Sequence, residues 1–215
     1  ITLADVDADA LTATADDTLQ IAKANVTGHA VLSANNTMTL GNVNAGSLTA
    51  ASNALSLSTG VIDGAANLAA RGTLQLTDSL SVGGDLTATG VGINQIGTLH
   101  VDGDATLEAG NGNLVINNLT VGQKLAATGA GISQSGTLQV TGLADLDSTG
   151  AVVLVGVDAG ELKAKAGSTL DMASATVAGH AVLEAANNIT LAGLRAGSVV
   201  ASGAGITQTG TLSII

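Results

Sequence analysis

The amino-acid sequence predicts an all-β protein, a right-handed parallel β-helix of about eleven turns, with about 19 residues and three short strands in each turn. A Leu-x-Ala motif returns at near-constant spacing along the chain; its outer residues are apolar and its middle residue varies freely. Such a period of two is typical of a strand with one buried face. Glycine, asparagine and aspartate clusters separate the apolar segments, and no stretch shows a helical period with caps.

Three rows of apolar residues run through the chain, one for each wall of the predicted solenoid. The copies of the Leu-x-Ala row begin at Leu11, Leu32, Leu48, Leu68, Leu86, Leu107, Leu125, Leu146, Leu162, Leu183 and Val199. The row that precedes it consists of Val6, Val26, Val43, Ile62, Val82, Val101, Val121, Val140, Val157, Val177, Leu194 and Ile214. The row that follows it consists of Leu19, Met38, Leu55, Leu74, Ile93, Leu114, Ile132, Val152, Leu170, Ile189 and Ile206. We expect each row to stack as one internal ladder, with Leu86, Leu107, Leu125 and Leu146 above one another.

The corners between these rows consist of turn-forming residues such as Gly83-Gly84 and Asp16-Asp17. No linker or domain boundary interrupts the rows, so residues 1–215 form a single β-helix segment. Because the chain begins at Ile1 rather than at a methionine or a signal peptide, we expect it to be a piece of a much longer shaft.

The composition argues against several classes of function. The net charge is −11, only 6 residues are basic, and aromatic residues, proline and cysteine are absent. Without a basic stripe or a stacking ring, nucleic acid is not an expected partner. Without cysteine there is no disulfide and no thiolate metal site, and no apolar run is long enough for a membrane span. The positive mean hydropathy and the regular apolar spacing argue against disorder.

A leucine-rich repeat is the alternative solenoid, because its period of about 20–29 residues overlaps this one. That fold requires Leu-x-x-Leu-x-Leu followed by a fixed asparagine, and neither recurs here at a constant position. The spacing therefore favours the β-helix.

Longer blocks also repeat. The segment 92–101 (Gly-Ile-x-Gln-x-Gly-Thr-Leu and two further residues) returns at 131–140 and at 205–214, and 26–32 returns at 177–183. With Leu-x-Ala and a Gly/Ala-rich, cysteine-free turn, these blocks resemble the shaft repeats of filamentous haemagglutinin-like exoproteins, over essentially the whole chain. The Asn-Pro motifs of that family's secretion domain are missing, since the chain has no proline. The resemblance therefore concerns the shaft and not the secretion module.

The resemblance implies a secreted or cell-surface filament of a Gram-negative bacterium, exported by two-partner secretion, and a shaft segment of an adhesin with a role in cell adhesion and virulence. Such a segment holds a distal binding region away from the cell and has no catalytic role. Two alternatives remain: the stalk of a contact-dependent toxin-delivery exoprotein, and a β-helical enzyme acting on polysaccharides. The enzyme would be favoured by carboxylates clustered beside lysine or arginine on one face, and the sequence alone indicates no such cluster.

Candidate site residues are few. Ser81, His100 and Asp102 are expected side by side on adjacent turns, but a flat wall offers no pocket for a catalytic triad. His29 and His180 occupy equivalent positions eight turns apart and are interpreted as separate surface histidines.

The acidic residues near the amino terminus lack the calcium-binding nonapeptide and are interpreted as a solvated end, namely Asp5, Asp7, Asp9, Asp16 and Asp17. Gln95, Gln134 and Gln208 replace core residues of other turns. They either turn inward and bind the backbone or face water, and we expect them to face water.

We therefore predict no catalytic, cofactor-binding or metal-binding residues and no cofactor. The expected partners are neighbouring turns of the same parent chain and, through other regions, host-cell or bacterial surface receptors. Both ends of the chain have the alternation of a strand, so end-to-end association of the isolated segment is also expected.

Overall fold

The protein is a parallel β-solenoid, which confirms the predicted fold class. The computed structural model describes all of residues 1–215. It has about 11 turns of about 19 residues and no helix, and therefore no helix that could span a membrane. Each strand pairs in parallel with the strand one turn away, so the whole chain forms one continuous sheet that winds around a single cluster of 60 buried apolar residues.

The twenty strands are short where a turn or bend breaks the wall and long where the chain passes through a corner without losing its ladder hydrogen bonds. They are β1 (Thr2–Ala8), β2 (Leu11–Ala15), β3 (Thr18–Ala34), β4 (Thr37–Ser52), β5 (Ala54–Ile62), β6 (Ala66–Ala70), β7 (Leu74–Val82), β8 (Leu86–Thr89), β9 (Ile93–Val101), β10 (Ala105–Glu108), β11 (Asn113–Val121), β12 (Leu125–Gly129), β13 (Gly131–Gln134), β14 (Leu138–Ser148), β15 (Val152–Leu154), β16 (Val157–Ala166), β17 (Leu170–Met172), β18 (Ala175–Ala185), β19 (Asn188–Ser202) and β20 (Gly205–Ile214).

The first wall contains the row that follows the Leu-x-Ala row in the sequence. This row stacks as one ladder from Leu19 to Ile206, as predicted. A second inward column lies two residues further along each strand, because alternate residues face the same side. Between these columns an outward column runs along the wall, and its members are Thr2, Gln20, Thr39, Ser56, Gln75, Asn94, Val115, Ser133, Val153, Asp171, Thr190 and Thr207. We call the outward surface of this wall, centred on that column, the neutral face.

The second wall differs from the prediction, because the row that precedes the Leu-x-Ala row in the sequence belongs to two columns and not to one. Val26 pairs with Ala45, not with Val43, and Val140 pairs with Ala159, not with Val157. The residues of the row that belong to the other inward column are Val6, Val43, Val157 and Leu194. Both columns face the core. From Val6 to Ile62 and again from Val157 to Ala196, a large residue in one column is accompanied by a small residue in the other, so the bulky residue changes column from turn to turn. Between these stretches both columns contain large residues, as at Leu80 and Val82.

The third wall also overturns the predicted ladder of leucines. Leu86 pairs with Ala105, and Ala105 pairs with Leu125, so Leu107 and Leu146 lie in the neighbouring column. One inward column consists of Leu11, Ala30, Leu48, Ala66, Leu86, Ala105, Leu125, Ala144, Leu162, Ala181 and Val199. The other consists of Ala13, Leu32, Ala50, Leu68, Ala88, Leu107, Ala127, Leu146, Ala164, Leu183 and Ala201. Successive turns thus alternate between Leu-x-Ala and Ala-x-Leu.

This alternation of leucine and alanine has a packing cause. Each turn contributes one large and one small side chain to the third wall, so the volume per turn stays constant while each leucine packs over an alanine in the next turn. Interdigitation of this kind fills the core without voids, and Leu107, for example, is completely buried. The structural repeat of the third wall is consequently two turns long, twice the period of the solenoid.

Candidate functional site

The second wall brings Ser81, His100 and Asp102 together, as the sequence predicts. Ser81 pairs with His100 on the adjacent turn, and Nε2 of His100 lies 2.8 Å from Oδ1 of Asp102. The His100 and Asp102 side chains are 48% and 62% exposed, and no hydrogen bond joins Ser81 to His100. The backbones of these strands pair with the turns on both sides, so their N–H groups are not free to form an oxyanion hole. The residues are adjacent, but they form a surface hydrogen-bonded pair of His100 and Asp102 beside a serine.

His29 and His180 each have a partner that the sequence interpretation missed. Nδ1 of His29 lies 2.5 Å from Oγ of Ser47, and Nδ1 of His180 lies 2.5 Å from Oγ of Ser198. In both cases the serine is the register partner of the histidine on the next turn. The signal was present in the sequence, because a Gly-Ser pair follows each Gly-His pair by about one turn. Each pair is a hydrogen bond between turns at an exposed corner.

Four of the five acidic residues near the amino terminus, all except Asp16, also have partners on the next turn. Asp5 accepts a hydrogen bond from Lys23 at 3.5 Å, and Asp7 accepts one from Asn25 at 3.3 Å. Asp9 is bound in the same way by a threonine hydroxyl. No group of three or more histidine, cysteine, aspartate or glutamate side chains in the protein is arranged to hold a metal ion. These carboxylates connect adjacent turns.

Two of the three glutamines contradict our expectation that they face water. Gln95 and Gln134 are each 1% exposed and lie in the second inward column of the first wall. Nε2 of Gln95 donates to the carbonyl oxygen of Gly97 at 2.6 Å and to that of Asn118 at 3.2 Å, and its Oε1 accepts from the backbone N–H of Asn117 at 2.7 Å. Of the two alternatives for these glutamines, an inward side chain bound to the backbone is therefore correct for Gln95.

Gln134 repeats this arrangement two turns later. Its Nε2 donates to the carbonyl oxygen of Gly136 at 2.5 Å, and its Oε1 accepts from the N–H groups of Val155 and Gly156 at 2.9 and 3.1 Å. Gln208, in the last turn, is exposed and donates only to the carbonyl oxygen of Gly210 at 3.0 Å. Each glutamine therefore closes its own corner, and the two buried ones also bind the backbone of the following turn.

The physical reason is a change in corner length. From the first wall to the second, the chain is one residue longer between Ile93 and Leu99 than between Leu114 and Leu119, which are their partners on the next turn. The ladder shifts register there, and the backbone N–H of Asn117 binds Gln95 instead of a carbonyl group. The longer corner contains Gly97, where a Cβ atom would collide with the carbonyl oxygen of Asp78. A buried amide side chain satisfies the backbone groups that this mismatch leaves unpaired.

The third wall carries a cluster of charges that sequence reasoning missed. Lys163 lies 3.2 Å from Asp145, and Lys165 lies 3.6 Å from Asp147. Glu184 is the register partner of Lys165 on the opposite side. Our interpretation that no carboxylates cluster beside lysine or arginine was therefore wrong, because residues about 18 positions apart become neighbours only after the register is known. Each lysine is already paired with an acidic side chain on a flat strand face.

The comparisons with known proteins concern the middle of the chain. Residues 64–118 and 111–158 match a family described as repeats of unknown function, DUF5649. No curated protein and no solved structure matches the chain. The two matched stretches overlap and together cover less than half of the 215 residues. Over its central turns, then, this solenoid is similar to a family of repeats whose function is unknown.

Proposed function

We propose that this chain is a structural segment in the shaft of a large adhesin, a filament that is secreted or displayed on the surface of a Gram-negative bacterium. In this role it holds a distal binding region away from the cell, and no residue of the segment takes part in catalysis. Its partners are the neighbouring turns of the same parent chain, while host-cell or bacterial receptors bind other regions. The same segment would serve equally as the stalk of a contact-dependent toxin-delivery protein.

The observation that supports this role is the unbroken ladder between turns. The walls continue from the first strand to the last, and exposed side chains such as Asp5, His29 and Lys163 bind the turn next to them. Parallel turns spaced ~4.8 Å apart give a rod roughly 50 Å long. A uniform rod suits a spacer, and the resemblance of its repeats to the shafts of filamentous exoproteins adds support for an extracellular location.

The enzymatic alternative has one observation in its favour, the charge cluster of the third wall. The carboxylates of Asp145 and Asp147 are held by the two lysines, and a hydrolase or lyase would need at least one of them free as an acid or base. A separate surface depression of about 250 Å³ is lined by Arg71 together with small residues such as Ala51 and Ala69, and it contains no carboxylate. The arrangement therefore favours a spacer over an enzyme.

An epitope inserted after Asn111, in an exposed turn, tests the proposal in a bacterium that produces the parent protein. We expect immunogold label on the outer surface of intact cells, at a fixed distance from the membrane. Resistance of the tagged shaft to protease, compared with the untagged protein, controls for loss of folding. Label that appears only after the cells are lysed would contradict the proposal.

A further inference from the structure

The neutral face almost lacks charge, although the chain contains 6 basic and 17 acidic residues. Its outward central column contains only one charged residue, Asp171. The corresponding outward positions of the second wall include Asp158 and Arg195, and those of the third wall include Asp145 and Lys163. The net charge of −11 is therefore carried mainly by the other two walls and the corners.

An apolar patch lies in the middle of the neutral face. Val115, Ser133 and Val153 are register partners on three consecutive turns, so the two valines flank the serine. Val153 is 38% exposed, and the nearby Val155 and Ile96 are 45% and 49% exposed. A shallow groove of about 340 Å³ runs between Val115 and Val153. Exposed branched side chains on a flat β-face are typical of a surface that packs against another surface.

We propose that the neutral face binds the neutral face of a second copy of this chain, with the two rods antiparallel and related by a two-fold axis at Ser133. Interfaces of this symmetry bring the same patch of both copies together. The axis places Val115 of each copy on Val153 of the other. It also places Asp171 opposite Asn94, so the one charge in the column meets an amide and not a second carboxylate.

The rest of the column matches under the same operation. Gln75 faces Thr190, and Ser56 faces Thr207, so polar side chains that both donate and accept hydrogen bonds meet across the interface. The apolar pairs lie next to the axis, and the polar pairs lie further out. A polar rim around an apolar centre is the usual anatomy of a protein interface.

Charge and buried area both favour a second copy of this chain as the molecule that covers the neutral face. Two rods of net charge −11 repel each other, and the repulsion is smallest where both present the neutral face. A face roughly 45 Å long and 15 Å wide buries about 700 Å² on each partner, close to the size of a standard stable interface. An uncharged polysaccharide is the competing occupant, although no aromatic ring is present for sugars to stack on.

Sedimentation of the 215-residue chain and two variants tests the interface. Val153→Asp places a carboxylate in the patch, and Val31→Asp is the matched control, since Val31 is 45% exposed but lies on the third wall. We expect Val153→Asp to weaken the dimer at least tenfold and Val31→Asp to leave it unchanged. Salt should strengthen the wild-type dimer, because it screens the repulsion between the other walls and breaks no ion pair in the interface.

A cross-linking experiment locates the axis. The chain contains no cysteine, so Ser133→Cys introduces a single thiol at the proposed axis, and Thr87→Cys introduces one on the third wall. A short bis-maleimide should link two copies through Cys at 133 and not through Cys at 87. Equal cross-linking of both variants, a chain that stays monomeric, or a monomer that binds cellulose through Val153 would overturn the proposal. The proposal concerns the chain by itself and does not depend on the shaft role.

Discussion

Leu107 lies between Ala88 and Ala127 in the third wall, and not between leucines. The leucine side chain extends over the small alanine of each neighbouring turn, so removing it opens a space that the adjacent alanines are too short to fill. We expect Leu107→Ala to lower the free energy of unfolding by about 2–5 kcal/mol. Urea denaturation measures the change.

The outward residue Ala126 provides the control for this prediction, because it is exposed on the same wall. Ala126→Gln, which adds no charge opposite its register partner Asp145, should change the free energy of unfolding by no more than about 0.5 kcal/mol. If both substitutions destabilise the protein equally, the assignment of inward and outward columns is wrong.

The two-turn packing period makes a prediction about deletions. Removing residues 86–124 takes out two turns and places Leu125 over Ala66, so leucine and alanine still alternate. Removing residues 105–124 takes out one turn and places Leu125 over Leu86. We expect the chain that lacks two turns to resist urea better than the chain that lacks one, although it is shorter.

Small-angle scattering and circular dichroism check the same two variants. The two-turn deletion should remain a rod with a β-type spectrum and should be about 10 Å shorter than the complete chain. A compact particle, a helical spectrum, or a two-turn deletion less stable than the one-turn deletion would contradict the packing argument.

Gln95 offers a test of the corner mismatch. Gln95→Leu fits the column, where Leu76 precedes it, but leaves the N–H of Asn117 without a partner and removes the side-chain hydrogen bond to the carbonyl oxygen of Asn118. Burying such groups unpaired costs about 1–3 kcal/mol each, and the amide proton of Asn117 should exchange faster. Gln75→Leu, measured at a concentration where the chain is monomeric, is the matched control, because that glutamine then faces water on the same wall. Similar losses from both variants would mean that the buried amide has no special role.

The isolated chain should also associate through its ends. In the last turn Ile206 is 51% exposed and Ile214 is 57% exposed, and a strand edge there presents unpaired backbone groups. We expect species larger than a dimer to appear as the concentration rises, which sedimentation velocity would detect. Ile206→Lys should suppress these larger species and leave the lateral dimer intact. If the larger species still form in the Ile206→Lys variant, the ends are not the site of association.

The sequence alone predicted the fold, because a solenoid requires only a recurring apolar pattern. The register of the first wall was predicted correctly, because each of its turns has a bulky residue in the same column. The third wall did not, because Leu32 and Leu48 look equivalent in the sequence but face different neighbours in the structure. When Leu-x-Ala and Ala-x-Leu alternate, aligning the leucines shifts every second turn by two residues.

The candidate sites were harder to predict for a related reason. Ser81 and His100 were placed correctly because they precede adjacent members of a row whose register is regular at that point. The cluster around Lys165 and the inward orientation of Gln134 were missed, because both depend on which residues of the next turn lie opposite. A one-residue change in a corner decides the environment of Gln134, and no local pattern in the sequence reports it.

Because leucine and alanine alternate, turns can be added to or removed from this array without disturbing the packing only in even numbers. The repeated blocks obey it: 92–101 and 131–140 lie two turns apart, and 26–32 and 177–183 lie eight turns apart. A duplication of an even number of turns joins compatible walls, whereas an odd number brings like residues together at the junction. Genes for such arrays should therefore lengthen and shorten in steps of about 38 residues, and the segments that persist should be those whose junctions keep large and small side chains in turn.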